Sequence, residues 1–81
     1  MLVRVVAFAR IRELVGAAAL ERSVADGATV GVLWSALANE FPALGNLAGA
    51  TRFVRNGAFV AAGERLCDGD ELALLPPFGG G

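Results

Sequence analysis

The spacing of apolar residues changes period along the chain, and each change marks an element. Residues 2–8 are dense in β-branched and apolar side chains and predict a first strand buried on much of both faces. Residues 10–15 predict a short helix, closed by Gly16 at the position where a left-handed residue is usual. Residues 19–24 form a weaker second strand, followed by turn chemistry at Asp26-Gly27. The clearest element comes next. Val30, Leu33, Trp34, Leu37, Ala38 and Phe41 fall on one stripe at helical spacing, with Thr29 placed to cap the helix and Pro42 to end it. Trp34 reads as core filler on that stripe.

Beyond the helix the period returns to two. Residues 44–50 read as an irregular connector, and residues 52–55 as a short strand. Asn56-Gly57 is a strong two-residue hairpin signal, with a return strand over residues 58–61 and a further turn near Gly63. Asp68-Gly69-Asp70 makes another tight turn before a last strand over residues 71–75, which Pro76-Pro77 terminates. Two strands, one main helix and several strands around tight turns predict an α+β fold, a mixed sheet packed on one helix. That is the β-grasp, or ubiquitin-like, arrangement. The domain occupies residues 1–75, and residues 76–81 form a flexible Gly-Gly tail.

The tail carries the candidate chemistry. Pro76, Pro77, Phe78, Gly79, Gly80 and Gly81 follow a strand directly, so the tail leaves the fold at a defined place. Glycines without Cβ atoms enter narrow channels, and the prolines stiffen the base near polyproline II geometry. Extended, these residues reach about 20 Å, enough to put a carboxyl group inside another protein's active site. A carboxylate is a poor electrophile until activated, and the chain has no phosphate-binding loop of its own. A separate nucleotide-using enzyme must therefore supply that step. The alternative is a frayed end of small residues.

Composition narrows the partners. Apolar residues make up 56% of the 81, a high share that suggests a surface covered by another protein. Residues 1–9, interrupted by Arg4, are too short to span a membrane, so no membrane partner is expected. The seven cations are all arginine and are scattered, which argues against nucleic acid. There is no histidine, and nothing resembles a set of metal ligands. Cys67, the single cysteine, reads as structural, because a nucleophilic cysteine normally needs a nearby base. One cysteine and no signal peptide fit a reducing compartment and a cytoplasmic location.

Two segments carry a resemblance. Residues 8–16, from Phe8 through Arg12 to Gly16, resemble the opening strand-to-helix segment of the molybdopterin synthase small subunit. Residues 68–81 are similar to that family's closing segment: Asp-Gly-Asp, strand, Pro-Pro, two residues, Gly-Gly. Asn56 before the hairpin turn also fits. The resemblance implies that an E1-like adenylating enzyme, using ATP and magnesium, activates the Gly81 carboxylate. A sulfur source then makes the thiocarboxylate. The charged protein docks on the large subunit in a heterotetramer of two small and two large subunits. There it gives sulfur to cyclic pyranopterin monophosphate to build the molybdopterin dithiolene. The chain itself binds no cofactor on this reading and is not catalytic alone. The same fold and ending also serve thiazole-type sulfur carriers, covalent protein modifiers and plain binding modules.

The strand period supplies candidate partner contacts. If Leu72 and Leu74 face the helix, Ala73 and Leu75 lie on the opposite face, with Leu75 beside the exit of the tail. Phe59 and Phe8 are candidates for the same patch. The alternative makes Leu75, Phe59 and Phe8 core residues. Arg12 either meets an acidic group on a partner or is simply solvated.

Overall fold

A computed structural model describes residues 1–77. Its elements are β1 (Leu2–Ala7), α1 (Ala9–Val15), β2 (Ala19–Ser23), α2 (Val30–Glu40), a 3-10 turn (Pro42–Leu47), β3 (Arg52–Arg55), β4 (Ala58–Val60) and β5 (Glu71–Leu75). The strands form one five-stranded sheet in the order β2-β1-β5-β3-β4. β1 and β5 are parallel, and every other pair is antiparallel. The last strand of the chain is thus the middle of the sheet, and the fold is the mixed-sheet β-grasp that the element order predicts.

One face of that sheet makes the core. Val3, Val5, Ala7, Phe53, Leu72 and Leu74 pack against Val30, Leu33, Trp34 and Leu37 of α2 and Ile11 and Val15 of α1. Trp34 meets Phe53 edge-on, with ring centroids 5.8 Å apart. Thr29 caps α2 by accepting the Val32 N–H through its hydroxyl at 3.2 Å. The next two free donors of the helix start, Val30 and Gly31 N–H, donate to the carbonyls of Glu64 and Ala62. Gly31 suits this close approach, since a Cβ there would sit 3.2 Å from the Ala62 carbonyl oxygen, a tight contact. Gly16, at φ 75°, closes α1 in the left-handed conformation that its sequence position predicts.

Three expectations change. β1 is buried on one face only, because both helices lie on the same side and no element of the described residues covers the other. Val3, Val5 and Ala7 are buried, while Leu2 and Arg4 are exposed. The connector after α2 is not irregular: Pro42, which cannot continue α2, starts a 3-10 turn that drives Leu44 fully into the core. Cys67 is exposed and contributes no side chain to the core. Its contribution is a backbone donor.

That donor belongs to a lock at the foot of β5. Asp70, 7% exposed, accepts the Cys67 N–H through Oδ2 at 2.8 Å and the Asn56 Nδ2–H through Oδ1 at 2.9 Å. Asn56 in turn accepts the Glu71 N–H through Oδ1 and donates its own N–H to the Glu71 carbonyl, both at 2.9 Å. Desolvation by burial alone would raise the Asp70 pKa. The Cys67 and Asn56 hydrogen bonds, helped by the Arg55 guanidinium, outweigh it and hold the pKa below the ordinary value. A carboxyl group whose pKa is lower folded than unfolded stabilises the fold above its unfolded pKa, and that contribution is lost as pH falls through the folded one. Stability measured by chemical denaturation should therefore be level near neutrality and decline below about pH 4. Asp70→Asn should remove part of that decline and cost about 1.5–3 kcal/mol at neutral pH. An unchanged acid slope in the variant would show that other carboxylates dominate.

Candidate functional site: the open sheet face and the tail

The uncovered face of the sheet is assembled by register. Val6 lies beside Ala73, Ala73 beside Val54, and Val54 beside Phe59, so four strands contribute one apolar row. One step further along β5, Leu75 lies beside Arg52. Phe8 follows Ala7 in extended backbone, on the side opposite that buried residue, before Ala9 at φ 48° bends the chain into α1. One step in the other direction the face becomes polar, where Arg4 pairs with both Glu21 and Glu71 in the ladder. The Arg4–Glu71 ion pair, at 3.6 Å between well-exposed side chains, contributes little stability. The face is thus charged at the foot of β5 and apolar at its end, where the chain passes into Pro76 and Pro77.

The interface candidates divide accordingly. Phe59 is 64% exposed and Phe8 45%, so neither is a core residue. Leu75 is half-buried in the open face, and Arg12 is exposed on α1. Pro76 is half-buried and Pro77 exposed. Phe78, Gly79, Gly80 and Gly81, the rest of the expected tail, lie outside the described residues. The sequence reading missed Arg52, whose guanidinium lies 4.9 Å over the centre of the Phe59 ring. At an exposed site this cation–π contact is worth about 0.5–1 kcal/mol and orients the ring. Arg52 and Phe59 also line a shallow groove running between the start of β3 and the end of β4. Val6 and Val54 were missed too. Their alternation with buried neighbours was legible, but the strand order that joins them into one row was not.

This geometry can bind a complementary apolar surface and hold it beside the exit of a carboxyl-terminal tail. Among the described residues no group of side chains is placed to hold a metal ion. No helix of the described residues is long and apolar enough to cross a membrane.

Comparison with known proteins decides the family. The model of the ThiS family matches residues 5–81, nearly the whole chain, tail included. The chain belongs to the ThiS family. Among relatives of this ThiS-family chain, the small archaeal modifier protein 1 of Haloferax volcanii is 39% identical, over 91% of this chain and 94% of that one. A crystal structure of that protein superposes with a TM-score of 0.87 at 35% identity, covering 100% of both chains. The molybdopterin synthase sulfur carrier subunit of Chlamydomonas reinhardtii is 32% identical over 100% of both chains. A complex of subunits 1 and 2 of the molybdopterin-converting factor from Helicobacter pylori contains a chain with TM-score 0.71 and 27% identity, again covering 100% of both. The likeness to the molybdopterin synthase small subunit, first visible at the two ends of this ThiS-family chain, extends over its whole length.

Proposed function

We propose that this protein carries sulfur on its carboxyl-terminal glycine as the small subunit of a molybdopterin synthase. An activating enzyme docks on the open sheet face and takes the tail into its active site. The Gly81 carboxylate attacks the α-phosphorus of ATP, magnesium-bound in that enzyme, and pyrophosphate leaves. A hydrosulfide-level sulfur nucleophile then attacks the acyl carbon, a C–S bond forms as the acyl C–O bond to AMP breaks, and a thiocarboxylate remains. The charged carrier exchanges the activating enzyme for the large subunit, in an assembly of two small and two large subunits. There the sulfur passes to cyclic pyranopterin monophosphate. Acid–base groups come from the partners: among the described residues the end of the face beside Pro76 offers apolar side chains and Arg52, while the carboxylates Glu21 and Glu71 lie at its other end.

The observation that carries this reading is the apolar row across the sheet at Ala73, one step before Leu75 at the end of the strand that hands the chain to Pro76-Pro77 and the Gly-Gly end. The full-length likeness to a sulfur carrier subunit supports it. A second reading has its own support, since a 39% identical relative is named a protein modifier. In that case the activated Gly81 acyl group passes to a lysine amine of another protein.

Intact mass of the protein from cells that also express an activating enzyme tests both. A species heavier by sulfur in place of oxygen, active in forming molybdopterin with a large subunit, is the expected result. Isopeptide-linked adducts without molybdopterin formation would transfer the assignment to a modifier.

A further inference from the structure

Asn56 and Gly57 form the two-residue turn between β3 and β4, both exposed, with φ of 48° and 87°. The register Arg55 beside Ala58 leaves no other residue in the turn. An asparagine followed by glycine is prone to an uncatalysed reaction, because no Cβ shields the glycine amide nitrogen. That nitrogen attacks the asparagine side-chain carbonyl carbon, a new C–N bond forms, and the carboxamide nitrogen leaves as ammonia, taking up the amide proton. Water opens the resulting succinimide to aspartate or isoaspartate. No oxidant or enzyme is needed.

In this fold the Asn56 carboxamide is occupied at both ends. Its Nδ2 donates to Asp70 Oδ1 at 2.9 Å, and its Oδ1 accepts from the Glu71 N–H at 2.9 Å. The backbone N–H of Asn56 is also bonded, to the Glu71 carbonyl at 2.9 Å. The carboxamide carbon is therefore directed toward the foot of β5 and held there, and attack by Gly57 requires these bonds to open first.

We propose that Asn56 is a deamidation site which the Asp70 lock keeps closed, and that conversion of Asn56 prevents the lock from closing again. Replacing the Asn56 amide by a carboxylate removes the donor to Asp70 and sets two anionic groups at hydrogen-bond distance. Isoaspartate adds a methylene to the main chain, which breaks the register of the turn as well. The damage falls at the β3–β4 turn, where β3 is fastened to β5, so it loosens the strands that carry Arg52, Val54, Phe59 and Leu75. A molecule that opens long enough to react is thereby withdrawn from the functional pool by its own chemistry.

The test follows isoaspartate and aspartate at position 56 by peptide mapping during incubation of the full chain at mildly alkaline pH. Reaction through a rarely opened hairpin should be at least about tenfold slower in the folded chain than in denaturant. Equal rates in the two conditions would overturn the proposal. Asp70→Asn should accelerate the folded reaction and leave the denatured rate unchanged. Asn56→Asp should lower the denaturation midpoint, and adding Asp70→Asn to it should recover part of the loss, because carboxylate and carboxamide have then changed places. A midpoint unchanged by Asn56→Asp, or no recovery in the double variant, would refute the failed re-closure.

Discussion

Deleting Gly81 is expected to abolish sulfur loading while leaving the folded domain intact. The carboxyl group of residue 81 is the only atom set that the proposed chemistry uses on this chain, and a carboxylate on Gly80 would fall short of the reacting position by one residue, about 3.5 Å. Misplacement on that scale is large compared with the tolerance of a reacting pair. The buried residues of the described chain end at Leu74, so the deletion removes no identified core contact. Melting temperature should change by no more than about 2–4 °C, the shift that corresponds to roughly 0.5 kcal/mol in a domain of this size. Mass spectrometry for the thiocarboxylate and thermal denaturation of the same preparation check both halves. Retained loading would exclude Gly81 as the carrier, and a large loss of stability would give the tail a structural role.

The second large effect is expected on the open face. If the proposed docking holds, Leu75→Asp should weaken binding to the large subunit by roughly 30-fold or more, equivalent to about 2 kcal/mol, because it would place a carboxylate in a desolvated contact. Phe59→Ala should act in the same direction through loss of the ring that Arg52 covers. Neither side chain is in the core, so the isolated variants should fold with stability within about 1 kcal/mol of the parent. Calorimetric titration with the large subunit, beside chemical denaturation, separates the two quantities. Unfolding of Leu75→Asp alone would return Leu75 to the core; normal binding by both variants would move the docking surface elsewhere.

Much of the architecture was legible because its signals are local. The α2 stripe from Val30 to Leu37, the cap at Thr29, the closing Gly16 and the Asn56-Gly57 turn each depend on a few adjacent residues, and each forms where expected. What depends on distant neighbours was hidden. The apolar density of β1 suggested burial on both sides, since a sequence does not state how many layers cover a sheet. Asp70 looked like part of a turn, and only the meeting of residues 56, 67 and 70 makes it a buried anchor. For the same reason Phe59 and Leu75 were readable as apolar candidates, but their alignment with Val6 and Val54 depends on the strand order.

The central position of β5 bears on how the protein is made. β1 and β3 do not pair with each other; each pairs with β5, the last of these five strands to be synthesised. While the ribosome still shelters residues 71–75, the two halves of the sheet have no common member, and the core lacks Leu72 and Leu74. Domains fold as units during synthesis, and this one must wait for β5. A chain that stops before Glu71 cannot complete the sheet or assemble its open face. Translation errors that omit this strand should therefore yield an unfolded polypeptide, open to proteolysis, instead of a folded decoy with an incomplete face.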